Sequence, residues 1–155
     1  MTPNPAILVR KATADDLDAL VALERATFES DRISRPQWRR HVGSDTASVL
    51  VVGPRGRVDG AAVVFRRGNS RRARLYSLAV ATAARGRGLA RKLLAAAEAE
   101  ARRHGCTVLD LEVRHDNRAA IALYEHHGYR RTERLQAFYE DGADGWRYSK
   151  VLEGR

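Results

Sequence analysis

The run Arg85-Gly86-Arg87-Gly88-Leu89-Ala90 has residue types and a spacing suited to holding a phosphate. It stands between an apolar stretch, Leu75 to Val80, and a long amphipathic stretch closed by Gly105. A helix that starts here leaves its first backbone N–H groups without partners and carries partial positive charge at that end. Glycines let a ligand approach that backbone, and Arg85 and Arg87 add full charges, so a phosphate or pyrophosphate is the natural guest. The P-loop is excluded because no Lys-Ser/Thr pair follows the last glycine, and the G-x-G-x-x-G dinucleotide fingerprint is absent.

The elements that must position this run follow from periodicity. Ile7 to Lys11 reads as a short strand, and Thr13 with Asp16 forms a capping-box-like start for a helix over Ala14 to Phe28, whose apolar face is Leu17, Leu20, Val21 and Phe28. Ser30 to Arg35 is polar and irregular, a candidate substrate-side loop, and Pro36 at N1 opens a second short helix carrying Trp38. Ala47 to Val52 and Arg57 to Arg66 flank Gly53-Pro54-Arg55-Gly56 as a hairpin, and Gly68-Asn69-Ser70 turns into a third strand, Arg74 to Val80.

In the following helix, spanning Gly86 to His104, Leu89, Leu93 and Ala97 recur at helical spacing, while Lys92, Arg102 and Arg103 point outward. Thr107 to Val113 alternates, with Leu109, Leu111 and Val113 on one face and Val108, Asp110 and Glu112 on the other. Strand, helix and strand in succession imply a right-handed parallel crossover. Asp116 or Asn117 caps a helix carrying Ala120, Ile121 and Tyr124 and ending at Gly128, and Tyr129 to Ala137 pairs with Trp146 to Leu152 as a final antiparallel hairpin. The expectation is one mixed α/β domain over residues 1–155: a central, mostly antiparallel sheet of about seven strands with helices on both faces.

Arg85-x-x-Gly88-x-Ala90 resembles the pyrophosphate loop of the GCN5-related N-acetyltransferase (GNAT) family, which holds acetyl-CoA there. A second stretch agrees with it. Leu111-Glu112-Val113-Arg114, followed by Asn117-x-x-Ala120-x-x-Leu123-Tyr124-x-x-x-Gly128-Tyr129, resembles the family's second cofactor segment. Within the family these runs are most similar to the RimI-type N-terminal acetyltransferases of ribosomal and other proteins. At the C-terminal end the segment is Phe138-Tyr139, where one of the family's paired aromatics is Phe, and the Ser30 to Trp38 loop matches no substrate motif.

The resemblance implies the GNAT fold, acetyl-CoA as cosubstrate, no metal, and direct attack by a primary amine, with a protein N-terminal α-amine as the expected acceptor. It makes Glu112 a general base on the amine through water and Tyr124 the proton donor to the departing thiolate. The alternatives read from the residues are a carboxylate paired with an arginine and a core tyrosine packed on Ile121. Arg85, Gly86, Arg87, Gly88, Leu89 and Ala90 become the pyrophosphate cradle, and the backbone of Leu78, Ala79 and Val80 an edge to which the pantetheine arm adds like a strand. Asn117 caps its helix and, with Tyr124, touches the cofactor. Tyr139 lines the acceptor pocket or packs on the terminal hairpin.

Composition narrows the partners. The 155 residues carry 28 basic and 19 acidic side chains, a net charge of +9 and a pI of about 10.5. The basic residues are nearly all arginines spread over every segment, with Lys11, Lys92 and Lys150 as the lysines and few aromatics between them. That pattern suits CoA phosphates and acidic partners better than direct nucleic-acid binding. The start has no apolar run of signal-sequence length and no segment approaches the roughly 20 apolar residues of a membrane span, so the expectation is a cytoplasmic protein, monomer or homodimer. The lone Cys106 reads as a buried structural thiol and His126-His127 as helix surface, and no Cys/His cluster has metal spacing. Two readings compete with N-terminal acetylation: the same chemistry on a small-molecule amine, polyamine, amino acid or lysine side chain, and a basic binding module without catalysis.

Overall fold

A computed structural model describes residues 8–153. One seven-stranded sheet runs through it in the order β1-β2-β3-β4-β5-β7-β6, where β1 is Val9–Lys11, β2 Ala47–Val52, β3 Gly60–Arg66, β4 Arg72–Val80, β5 Val108–Arg114, β6 Arg130–Leu135 and β7 Gly145–Val151. Every neighbouring pair is antiparallel except β4 and β5. The four longer helices are α1 (Leu17–Thr27), α2 (Arg35–Val42), α3 (Leu89–Arg103) and α4 (Arg118–His126). Of the expected first strand, Ile7 lies outside the described residues. The first helix begins as a 3₁₀ turn, Ala14–Asp16, in which the Asp16 carboxylate accepts the Thr13 N–H at 2.8 Å.

The sheet is covered differently on its two faces. Under α3 and α4 lies a continuous core that includes Leu75, Leu93, Leu94, Leu109, Leu111 and Tyr148, all nearly inaccessible. On the opposite face α1 and α2 cover only the first half of the sheet, packing Leu20, Leu23 and Trp38 onto Val49, Val51 and Val63. This explains why β2 is apolar without alternation, since it is buried on both faces, whereas β5 alternates buried and half-buried residues. The far half of the second face carries polar side chains of β4, β5 and β7. No helix among the described residues is long and apolar enough to cross a membrane.

Two irregularities shape the sheet's centre. The β4–β5 ladder stops at Leu75 against Leu111, so Tyr76 to Val80 and Glu112 to Arg114 have no partners across the gap. In the β3–β4 ladder Val64 pairs with Leu75 but Val63 pairs with Ser77, which makes Tyr76 the extra residue of a β-bulge. A bulge bends its strand, and this one stands where β4 parts from β5.

Candidate active site

The gap between the two parallel strands gathers the residues singled out above. On its β4 side, Tyr76 to Val80 stay bonded to β3 while their other edge, including the backbone of Leu78, Ala79 and Val80, is open. Beyond that edge the chain makes a 3₁₀ turn, Thr82–Ala84, and enters the Arg85 to Ala90 run. Gly86 and Gly88 adopt left-handed backbone, with φ of 81° and 73°. A Cβ at either would meet no protein atom nearer than 4.0 Å, so these glycines answer to their dihedrals and leave open space above the backbone. Gly88 caps α3 without any side-chain acceptor, in contrast to Ser34 on α2 and Asn117 on α4. The first-turn N–H groups of α3 therefore face outward, flanked by Arg85 and Arg87, both exposed and without a carboxylate partner among the described residues. These residues fit a CoA pyrophosphate. Asn117 Oδ1 accepts the Ala120 N–H at 3.2 Å, which leaves the amide NH₂ free to donate.

The opposite side of the gap carries the titratable groups. Tyr124, on α4, has its ring buried against Tyr129 with centroids 5.8 Å apart. Tyr129 donates to Glu98 and Tyr148 to Glu125, but the Tyr124 hydroxyl has no hydrogen-bond partner among the described residues. Burial, followed by the neighbouring Tyr139, raises the Tyr124 phenol well above its ordinary value. Tyr139 is pushed up to about 12, by burial first and then by Glu112. Its ring lies against Gly145, where a Cβ would sit 3.0 Å from Tyr139 Cε2 and 3.1 Å from the Val113 carbonyl, so a side chain there would press on the ring. Arg114, 5.3 Å from the ring centroid, holds the other side and anchors the loop through Asp141 at 2.9 Å.

Glu112 is half-buried, with only 7% of its side chain exposed, and is gripped by two arginines. Arg74 Nε donates to Oε1 at 2.6 Å and Arg147 Nε to Oε2 at 3.2 Å, and Arg147 also reaches Glu133 at 2.6 Å. Sequence reasoning did not find Arg74 and Arg147, because register alone sets Arg147 opposite Glu112. It also missed a contact across the mouth of the gap. Asp31, in the α1–α2 loop with φ of 56°, accepts the Glu140 N–H at 3.2 and 3.3 Å, joining residues 109 positions apart. Cys106 is buried away from this group, and burial raises its thiol, in keeping with a structural role.

Comparison with known proteins agrees with this geometry. Residues 17–129 match the model of the Acetyltransferase (GNAT) family. The N-terminal acetyltransferase A complex catalytic subunit NAA10 of Arabidopsis thaliana is 31% identical over 154 residues, 96% of this chain and 80% of that protein. N-alpha-acetyltransferase 30 of Schizosaccharomyces pombe is 37% identical over 82 residues, 53% of this chain, and the chain spans only 55% of that relative's length. The crystal structure of a ribosomal-protein-alanine N-acetyltransferase from Brucella melitensis superposes with a TM-score of 0.80 at 31% identity, covering 94% of this chain and 100% of that one.

Proposed function

Because this chain belongs to the acetyltransferase (GNAT) family, we propose that it transfers an acetyl group from acetyl-CoA, by direct attack, to the α-amine of a protein N-terminus. One observation carries the reading. An open strand edge, an uncapped glycine-bearing helix start and the Tyr124 phenol, whose ring is buried and whose hydroxyl has no protein partner among the described residues, meet at one gap in the sheet. The kinship with N-terminal acetyltransferases supports the choice of amine.

When bound, acetyl-CoA supplies the activated acyl group and departs as a thiol. The N–H groups of Leu89 and Ala90 with Arg85 and Arg87 hold the pyrophosphate, Gly86 and Gly88 giving it access, while the Leu78 to Val80 edge and Asn117 receive the pantetheine amides. The amine nitrogen bonds to the carbonyl carbon as the C–S bond breaks. Its proton passes through water to Glu112, and Tyr124 gives its own proton to the thiolate sulfur. The oxygen that accepts is Oε2, whose contact with the donor Arg147 is the longer of the two, 3.2 Å against 2.6 Å at Oε1, and which keeps a second lone pair for the proton. Tyr139, protonated throughout the neutral range, lines the acceptor side.

The test is thiol release from acetyl-CoA with a peptide bearing a free α-amine and no lysine, beside a peptide with a blocked α-amine and one lysine. Acetylation of the first alone is the expected result. Turnover of the second alone moves the function to side-chain amines, and no thiol release with either, in a protein that binds acetyl-CoA, removes the reading.

A further inference from the structure

Next to the reacting groups, on the face of the sheet that α1 and α2 leave bare, a cavity of about 610 Å³ includes Glu112 and Phe138 in its wall and so opens onto the proposed acceptor site. Arg67, Arg72, Arg74 and Arg147 line it together with two carboxylates, an excess of two positive charges. The two carboxylates are already engaged. Asp110 accepts a bidentate pair from Arg72 at 2.7 and 2.8 Å, and Glu112 is shared by Arg74 and Arg147. Arg66 borders it too, but its guanidinium turns to the α3 side of the sheet, donating to Ser48 Oγ at 2.6 Å, which is itself bonded to Glu100, and to the Asp45 carbonyl at 3.0 Å. Arg67 is exposed and has no carboxylate partner among the described residues.

We infer that this basin receives an acidic segment of the acceptor polypeptide, the residues that follow the reactive amine, with Arg67 as the group that selects it. The inference rests on the proposed N-terminal acetyl transfer and names its substrate class. Glu112 and Asp110 are two residues apart on β5, with Arg72 beside Asp110, and Arg67 directly follows Arg66, which pairs with Ala73 across β3 and β4. An extended chain advances about 3.3 Å per residue, so side chains two to four residues beyond the amine reach the level of Arg72 and Arg67. Guanidinium groups recognise carboxylates through charge-assisted, often bidentate hydrogen bonds, and a lysine-rich segment would meet uncompensated like charge.

A polynucleotide fits the same face less well. Asp110 and Glu112 line the basin that its phosphates would have to follow, and the aromatic pair at its rim, Phe65 and Tyr76, stacks on itself with centroids 4.5 Å apart. That leaves fewer ring faces for bases.

The experiment uses two peptides with the same first residue, one continuing with glutamates and the other with lysines, assayed by thiol release on the wild type and on Arg67→Glu. Amine-blocked versions of both are measured by equilibrium binding, which needs no turnover. Wild type is expected to favour the acidic peptide in kcat/KM by about tenfold or more, the preference shrinking with added salt and falling several-fold in Arg67→Glu, whose melting temperature should match wild type. Equal use of the two peptides, or preference for the lysine peptide, overturns the inference and leaves the N-terminal transfer intact. If neither is acetylated but the blocked acidic peptide still binds more tightly, the transfer reading fails and the acidic-segment assignment stands. An RNA oligonucleotide that binds the wild type and not Arg67→Glu, when the acidic peptide binds neither, overturns it in favour of a polynucleotide.

Discussion

In the proposed reaction Tyr124, its phenol raised chiefly by burial, holds its proton through the neutral range until a thiolate forms to take it. Tyr124→Phe keeps the ring against Tyr129 and removes the donor. Its kcat should fall by about 10²- to 10⁴-fold with acetyl-CoA affinity unchanged, which pre-steady-state turnover and calorimetry read separately. Glu112→Gln decides between base and ion pair. If Glu112 takes the proton, activity falls, the acidic limb of the pH profile changes and the melting temperature holds; an intact limb with a lowered melting temperature makes it only the partner of Arg74 and Arg147. At this scale the sequence yielded the proposed reacting groups, because a carboxylate in an alternating strand and a tyrosine on a capped helix are local patterns. The arginines that grip Glu112 were not legible, since they come from β4 and β7 and meet it only through long-range register.

Among the elements, the start of α3 is the most exacting. Gly88 stands at φ of 73°, where a side chain is strained, and a carboxylate there would also set negative charge beside the N–H groups meant for phosphate. Gly88→Glu should therefore weaken acetyl-CoA binding by about tenfold or more while the protein stays folded, since the added Cβ has open space; unchanged affinity by calorimetry moves the cradle elsewhere. A second element-level device joins β1 to the first helix. The inaccessible Asp16 carboxylate is held far below the ordinary range, first by Arg10 at 2.8 and 2.9 Å and then, against the opposing effect of burial, by the Thr13 and Gly56 N–H groups. A carboxyl depressed in the folded state stabilises at pH above its ordinary value near 4 and loses that stabilisation as pH falls below it. Asp16→Ala should cost about 3 kcal/mol at neutral pH and flatten the acid arm of stability, as urea unfolding at several pH values would show. The capping-box reading placed this residue correctly but not its link to Arg10, which depends on how the chain turns back.

Considered whole, the molecule carries +9 and turns uncapped α3 and the arginine-lined basin toward the two sides of one gap. An anionic cosubstrate approaching such a surface is steered by charge, so the KM for acetyl-CoA should rise several-fold between low and about 0.5 M salt while kcat changes little; a salt-independent KM would sink that view. The element order was readable because each helix and strand announces itself over a few residues. The sheet order was not. The terminal hairpin reads the same whichever strand lies inside, and only long-range hydrogen bonds put β7 against β5 with β6 outermost. In hindsight the polar run Arg130-Arg131-Thr132-Glu133-Arg134 is the sign of an edge.

The extra residue at Tyr76 gives β4 a change of parity. Before it the odd-numbered Ala73 and Leu75 face the core beneath α3; after it the even-numbered Leu78 and Val80 do, and Ala79 joins the core on the other face. The backbone groups turned toward the open edge change phase by the same step. Removing Tyr76 would set Leu75 and Ser77 side by side, opposite Val64 and Val63 as before, so that Ala73, Leu75, Leu78 and Val80 would alternate without interruption and both cores would keep their faces. Such a deletion should therefore leave the protein folded but straighten β4 where it parts from β5, weakening acetyl-CoA binding where Tyr76→Ala does not, because what the position supplies first is a bend.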